Sequence, residues 1–171
     1  ALARRADDLY SELDLNQQAA AKQLLLRLVT ITDSGEWGRR RVAASEIVSL
    51  DVDVVALHGV IDLYTSHRPL TLDRDYVTGS PTVEVAHEAL LTEWDRLREW
   101  IEESRDDVRR HASLTTAMNE WREADHDPGY LLSGPRLTGY EQWALSATMQ
   151  LTTDEREYLD AAIEGRERDQ S

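Results

Sequence analysis

The chain has 171 residues, of which 41% are hydrophobic, with a mean hydropathy of −0.54, a net charge of −14 and no cysteine. This length and composition are typical of a soluble protein with one large or two small domains, and they exclude disulfides and cysteine-based zinc sites. No apolar run approaches the roughly 18 to 20 residues of a membrane span, and the negative charge disfavours duplex DNA and anionic membranes as partners.

Two helices are predicted at the start of the chain. Apolar residues recur at helical spacing over residues 2–13 and again over residues 17–31. Asp14-Leu15-Asn16 offers a cap for the second helix, and Asp33-Ser34-Gly35 is a typical break after it.

A strand and two helices are predicted next. The strand covers residues 37–42, and a short helix follows over residues 44–50, with Ser45 or a neighbour as its cap. Asp51 is the expected cap of a longer helix over residues 52–64, which has a broad apolar face.

The first half of the chain ends in a predicted β-hairpin. Its strands cover residues 70–74 and 82–86, and the long loop between them contains Gly79-Ser80-Pro81. This order of helices and strands is that of a winged helix, which we expect over residues 15–87.

The second half is predicted to be helical and acidic. Residues 87–171 carry ten Lys or Arg and twenty Asp or Glu, a net charge of −10, against −4 for residues 1–86. The helices are expected over residues 87 or 88 to 103, 106–124, 135–149 and 155–167, with a break at Asp127-Pro128-Gly129 and a capping start at Thr152-Thr153-Asp154-Glu155. The fold class is therefore mainly α with minor β, a winged helix followed by an acidic helical bundle.

Four tryptophans lie on these predicted helices: Trp94, Trp100, Trp121 and Trp143. We interpret them as core and helix-contact residues rather than as the walls of a ligand cage, because large aromatic side chains dominate the packing of helical cores.

The run TVEVAHEALLTEW, residues 82–94, changes from the alternation of a strand to the period of a helix, with His87 at the change. A histidine beside a helix N-terminus can donate to phosphate oxygens, and unpaired backbone N–H groups there favour an anion. The alternative is that His87 caps the helix or is a half-buried structural residue. The residues alone leave both interpretations open and favour the second.

A basic cluster, Arg39-Arg40-Arg41, lies on the first predicted strand. The charges either protect a solvated edge strand or contact a phosphate or an acidic partner. The helix over residues 52–64 has no lysine or arginine and contains Asp53 and Asp62, so it lacks the side chains that read the major groove of DNA.

Catalytic and metal-binding motifs are missing. His87-Glu88 begins like a metalloprotease helix, but Leu91 stands where the second histidine ligand belongs, and no GxSxG, GxxxxGK[ST] or GxGxxG motif occurs. The other histidines are scattered, and paired carboxylates lie on helix faces that are predicted to be solvated: His58, His67, His111 and His126; Glu102-Glu103 and Asp106-Asp107. We expect a non-catalytic chain without a metal site or cofactor of its own.

Four stretches of the chain resemble the segment that follows the nucleotide-binding core in bacterial STAND-class NTPases, signal-transduction ATPases with numerous domains. They are ALARRADDLYSELD (1–14), QQAAAKQLLLRLVT (17–30), TVEVAHEALLTEWDRLREWI (82–101) and DPGYLLSGPRL (127–137). Members of this class are often joined to WD-repeat propellers or to regulator modules.

The resemblance implies a role in nucleotide regulation. In that class the winged helix is a lid over ADP bound to the ATPase core, and the histidine of a Met-His-Asp motif contacts the β-phosphate. Ala86-His87-Glu88 is the matching triplet, so His87 would be the phosphate sensor and Glu88 a supporting residue, although Ala86 and Glu88 depart from the motif. The phosphate loop and the ligands of Mg²⁺ would lie upstream, so ADP or ATP with Mg²⁺ is expected in the intact protein.

The resemblance divides the chain into a leading helix from the preceding ATPase region (1–14), the winged helix (15–87) and a helical connector (88–171). We expect a cytoplasmic regulatory fragment of a longer protein, with the NTPase core as its partner in cis and an unknown effector or sensor domain downstream. Two other functions stay open, a protein-interaction module with acidic helices and, less favoured, a DNA-binding winged helix. Neither nucleic acid binding nor membrane insertion is expected.

Overall fold

The structure, a computed structural model, describes residues 1–32 and 34–170. Asp33, the first residue of the break predicted after the second helix, lies outside the described residues. The chain folds as two compact units, Ala1–Arg105 and Asp106–Ser171. The mainly α fold class with a minor β part is confirmed by the elements of both units.

The first unit combines helices with short antiparallel strands. In chain order its elements are α1 (Leu2–Glu12), α2 (Leu15–Arg27), β1 (Val29–Ile31), β2 (Trp37–Arg39), β3 (Val42–Ala43), α3 (Ala44–Val48), α4 (Val54–Ser66), β4 (Leu70–Arg74), β5 (Pro81–Val85), α5 (Ala89–Glu93) and α6 (Asp95–Glu103). Strands β1 and β2 pair with each other, and β3, β5 and β4 form a second sheet in that order.

The cap of α2 is confirmed, while those of α3 and α4 differ from the prediction. Asp14 and Gln17 form a reciprocal capping box at α2. At α4 the cap is Asp53, whose Oδ1 accepts from the Ala56 N–H at 3.0 Å, so Asp51 is not the cap. Ser45 lies inside α3, which begins without a side-chain cap.

The helix predicted over residues 17–31 ends at Arg27, and its last part forms β1 instead. Val29, Thr30 and Ile31 are β-branched, so they favour an extended backbone once a partner strand is present. That partner is β2, with Val29 opposite Arg39. The single strand predicted over residues 37–42 is likewise two strands in different sheets.

The predicted hairpin is confirmed. Strands β4 and β5 pair antiparallel from Leu70 opposite Val85 to Arg74 opposite Pro81. Leu70, Val83 and Val85 are buried, so one face of the hairpin contributes to the core of the first unit.

The helix predicted from residue 87 or 88 to residue 103 is interrupted at Trp94. This residue has an extended backbone, with φ −89° and ψ 99°, and separates α5 from α6. Its indole is only 2% exposed and donates a hydrogen bond to Asp7 of α1. A contact distant in sequence thus overrides the local helical period.

The tryptophans of the predicted helices are buried, as expected: Trp94, Trp100, Trp121 and Trp143. In the first unit Trp94 and Trp100 are in edge contact, with ring centroids 6.1 Å apart, and Tyr10 contacts Trp100 at 5.2 Å. These rings join α1 to α6 and occupy the core, so their packing is structural.

The second unit is helical. Its elements are α7 (Arg105–Glu123, whose first residue belongs to the first unit), a 3₁₀ turn (Pro128–Tyr130), α8 (Gly134–Ser146) and α9 (Thr153–Gln170). Thr152 and Glu155 hydrogen-bond reciprocally at the start of α9, which confirms the predicted capping sequence. Within the described ranges, no helix has both the length and the apolar character needed to cross a bilayer.

Candidate functional site

His87 is exposed and lies between β5 and α5, as the sequence predicts. Its Nδ1 accepts a hydrogen bond from the Ala89 N–H at 3.1 Å. In the neutral ring this bond places the proton on Nε2, which is then a donor. His87 therefore stabilises the helix start through one ring nitrogen and has the other available for a ligand.

The helix that follows His87 is short. α5 has 5 residues, so its backbone dipole is small and its N-terminus is not an anion site by itself. The backbone N–H groups at the start of α5 therefore contribute less to phosphate binding than expected, and the Ala89 N–H is already bonded to the imidazole. Any phosphate contact at this position depends on side chains.

One wall of an open groove of about 680 Å³ is formed by His87. We call it the hairpin groove; it is lined by Leu2, Thr65, Ser66, Arg68, Leu70, Thr71, Leu72, Ala86 and His87. Its lining contains the Arg68 guanidinium and the His87 imidazole as nitrogen donors, and no carboxylate. The groove therefore combines an apolar floor with two donors suited to an anion.

Arg68 was not singled out by the sequence analysis. It lies immediately before β4 and has a φ of +82°, a conformation that side-chain-bearing residues rarely adopt. The pairing of β4 with β5 is continued by the hydrogen bond from the Ala86 N–H to the Pro69 carbonyl at 2.9 Å, and Arg68 and His87 are the next residues outward on the two segments. The available sequence signal for this residue was its place in the Arg68-Pro69 pair, directly before the first strand of the predicted hairpin.

Each arginine of the predicted basic cluster has partners inside the first unit. Arg39 donates to the Val85 carbonyl at 3.1 Å and lies 3.9 Å from Glu84. It supports the end of β5, directly before His87. Glu88, the possible supporting residue, is exposed and lies 4.0 Å from Arg39, and its supporting role stays a prediction.

Arg40 has different partners, whereas Arg41 shares Glu84 with Arg39. Arg40 donates to the Arg27 carbonyl at 3.0 Å and lies 3.4 Å from Glu46. Arg41 lies 3.7 Å from Glu84 and 3.9 Å from Asp73. Both arginines are partly exposed and have carboxylates nearby, and a contact with a phosphate or an acidic partner stays a prediction.

The segment that follows His87 is fastened to α1 by a set of contacts that we call the Asp7 latch: Asp7, Trp94 and Arg96. The Asp7 carboxylate accepts from the Arg96 guanidinium at 2.8 Å and from the Trp94 indole at 3.0 Å. The hydrogen bond from Arg96, and secondly that from Trp94, hold the pKa of Asp7 below its usual value. Arg96 also stacks on the Tyr10 ring, 4.3 Å from its centroid.

The remaining histidines are structural or solvent-exposed. His58 is exposed, His67 Nδ1 lies 3.0 Å from the Leu63 carbonyl, and His126 stacks on Trp121 at 3.9 Å. His111 is buried in the second unit, with Nε2 2.7 Å from the Glu155 carboxylate. Across residues 1–32 and 34–170, no three His, Asp or Glu side chains come together in a way that could hold a metal ion.

The expectation that Asp106 and Asp107 are a solvated pair is wrong for Asp107, which is hydrogen-bonded inside the second unit. It accepts from the Trp143 indole at 2.8 Å and from the Thr148 hydroxyl at 2.6 Å. Burial raises the pKa of Asp107, but the hydrogen bonds from Thr148 and Trp143 outweigh this and lower it overall. This carboxylate joins α7 to the segment after α8 and is structural.

Comparison with known protein families gives a match for this chain. The family model described as Novel STAND NTPase 1 matches residues 1–129, which include the first unit and all of α7. No curated protein and no solved structure matches the chain.

Proposed function

The chain belongs to the Novel STAND NTPase 1 family, and from this premise we propose that it is the regulatory lid and connector of a nucleotide-switched signalling ATPase. The lid responds to ADP or ATP bound to an NTPase core that precedes it in the intact protein. Hydrolysis, the phosphate loop and the Mg²⁺ ligands belong to that core, and the present chain has no catalytic role.

The position of His87 is the observation that carries this proposal. The side chain is exposed at the end of the hairpin, its Nδ1 is held by the Ala89 N–H, and its Nε2 can donate to a phosphate oxygen. The hairpin groove beside it has no carboxylate in its lining that would repel an anion. A donor held in one orientation loses little entropy when it binds.

The helices and the three-stranded sheet of the first unit act as a winged helix in this proposal. Its closed position over the core is favoured by ADP because the His87 contact exists only in that position. A ligand shifts a conformational equilibrium only by its differential affinity for the two states. Loss of the contact opens the lid and activates the protein.

The second unit is the connector in this proposal. It transmits the position of the lid to a downstream effector or sensor domain, of which a WD-repeat propeller in a cytoplasmic bacterial protein is one form. The acidic character of residues 87–171 suits contacts with proteins rather than with nucleic acid.

Two substitutions of His87 separate the sensor role from the capping role. His87→Asn keeps an acceptor near the Ala89 N–H but removes the Nε2 donor, whereas His87→Gln places an amide N–H near the position of Nε2 and weakens the cap. In the intact protein, we expect His87→Asn to accelerate ADP release with little loss of thermal stability. His87→Gln should leave ADP release nearly unchanged and lower the melting temperature.

The measurement is the off-rate of a fluorescent ADP analogue together with the melting temperature of the same samples. An unchanged ADP off-rate in a normally folded His87→Asn protein would remove His87 from the nucleotide site and contradict the proposal.

A further inference from the structure

Arg68 and His87 lie just beyond the paired ends of β4 and β5 and line the same groove. The register of β4 and β5 pairs Leu70 with Val85, and the Ala86 N–H donates to the Pro69 carbonyl at 2.9 Å. Arg68 precedes Pro69 and His87 follows Ala86, just beyond this last hydrogen bond, and both residues line the hairpin groove. Two donors from adjacent segments therefore meet in one concave surface.

The backbone of Arg68 is strained. Its φ of +82° is unfavourable for a residue with a side chain, and it precedes a proline, which favours an extended conformation with negative φ. Backbone strain of this kind persists where the surrounding structure imposes it, and it is concentrated at binding sites. The hydrogen bond at Pro69 holds Arg68 in this conformation.

The Arg68 side chain is exposed, and its guanidinium has no hydrogen bond or ion pair with any residue that the structure describes. Arg39, Arg40 and Arg41, by contrast, each lie within 4.0 Å of a carboxylate. Another cation is close, because the Arg5 guanidinium lies 3.5 Å from the His67 carbonyl, one residue before Arg68. Arg68 is therefore the cation of the groove lining that has no carboxylate partner among the described residues.

We propose that Arg68 is a second phosphate-binding residue and that, with His87, it makes the lid selective for a nucleoside diphosphate. This inference rests on the proposed function. A guanidinium can bond two oxygens of one phosphate, and His87 can donate to the third. Only a terminal phosphate has three non-bridging oxygens and a charge near −2, so the β-phosphate of ADP fits this pair of side chains better than the β-phosphate of ATP.

The test uses the intact protein with its NTPase core. Arg68→Gly removes the guanidinium and relieves the strained backbone, while Arg68→Lys keeps a positive charge but loses the two-pronged donor. Arg74→Gly is the matched control, because Arg74 lies on the same hairpin and outside the groove lining, where it bonds the Gly79 carbonyl at 2.9 Å. Off-rates of ADP and ATP and the melting temperature are measured for each protein.

We expect Arg68→Gly to accelerate ADP release roughly ten- to hundredfold, the effect of losing a charge-assisted contact, with a smaller effect on ATP and no fall in melting temperature. Arg68→Lys should be intermediate, and Arg74→Gly should leave both off-rates unchanged. Equal acceleration of ADP and ATP release overturns the assignment to a terminal phosphate.

His87→Asn, measured in parallel, distinguishes failure of the Arg68 role from failure of the proposed function. If His87→Asn accelerates ADP release and Arg68→Gly does not, the role of Arg68 is wrong while the proposed function stands. If neither variant changes ADP release, the proposed function is wrong and the inference falls with it.

Discussion

The indole Nε1 of Trp94 donates a 3.0 Å hydrogen bond to the carboxylate of Asp7, which lies 87 residues earlier in the chain. This contact joins α1 to the break between α5 and α6, seven residues beyond His87. In the proposed function, α1 connects the lid to the NTPase core. The Asp7 latch would then fix the orientation of α1 relative to the rest of the lid.

Two substitutions of Asp7 should destabilise the first unit to different extents. Asp7→Asn keeps an acceptor oxygen and loses the charge paired with Arg96, a partly exposed ion pair that we expect to contribute about 0.5 kcal/mol. Asp7→Ala also leaves the buried Trp94 indole N–H without its acceptor, which costs roughly 1 to 3 kcal/mol more. Urea unfolding of both variants checks the order, and equal effects would show that the indole contact contributes nothing.

The pH dependence of the Asp7 latch has a definite sign. Because the pKa of Asp7 is lowered in the folded protein, its contribution is fully present above the unfolded value of about 3.9 and is lost as the pH falls through the folded pKa. The difference in unfolding free energy between the wild type and Asp7→Asn should therefore be constant near neutral pH and shrink below about pH 4. A difference that grew on acidification would contradict this assignment.

The isolated chain should bind ADP and ATP only weakly. Arg68 and His87 supply a few phosphate contacts, and these do not offset the entropy of association once the phosphate loop of the core is missing. Titration calorimetry on the 171-residue chain is the check, with a dissociation constant in the low micromolar range as the contradicting result.

DNA binding should be negligible at physiological salt. α4, which follows the short helix α3 as a recognition helix would, has no lysine or arginine, and the chain carries a net charge of −14. A mobility-shift assay at physiological ionic strength checks this. A sequence-specific complex that survives competitor DNA would favour the DNA-binding alternative.

Glu155 should be among the most sensitive positions of the second unit. Its buried carboxylate accepts from the Thr152 N–H at 2.9 Å and lies 2.7 Å from His111 Nε2. Glu155→Ala removes a cap and deprives the buried His111 of its carboxylate contact, which should cost roughly 3 kcal/mol. Thr152→Ala, which loses only the other half of the capping box, should cost about 1 kcal/mol.

Thermal unfolding of these two variants, with the His111→Ala and Glu155→Ala double variant, tests the pairing. The double variant should be less destabilised than the sum of its single variants, because the second substitution removes a group that has already lost its partner. Strict additivity would mean that His111 and Glu155 do not interact.

Features that depend on residues close together in the chain could be predicted from the sequence. The capping boxes at Asp14 and Thr152 depend on side chains three residues apart, and the hairpin depends on alternation and a turn. The position of His87 beside a helix start follows from the same local patterns, and the family resemblance rests on contiguous stretches of residues. All of these signals lie within a short window of the chain.

Contacts between distant residues decided the rest. Val29–Ile31 is a strand because Trp37–Arg39 pairs with it, and the helix after His87 stops at Trp94 because Asp7 binds the indole. Arg68 is a candidate site residue only because the folded hairpin brings it to the same groove as His87, and the carbonyl and carboxylate partners of Arg39 also come from a distant strand. A one-dimensional pattern determines which local structures are possible; long-range hydrogen bonds and burial select among them.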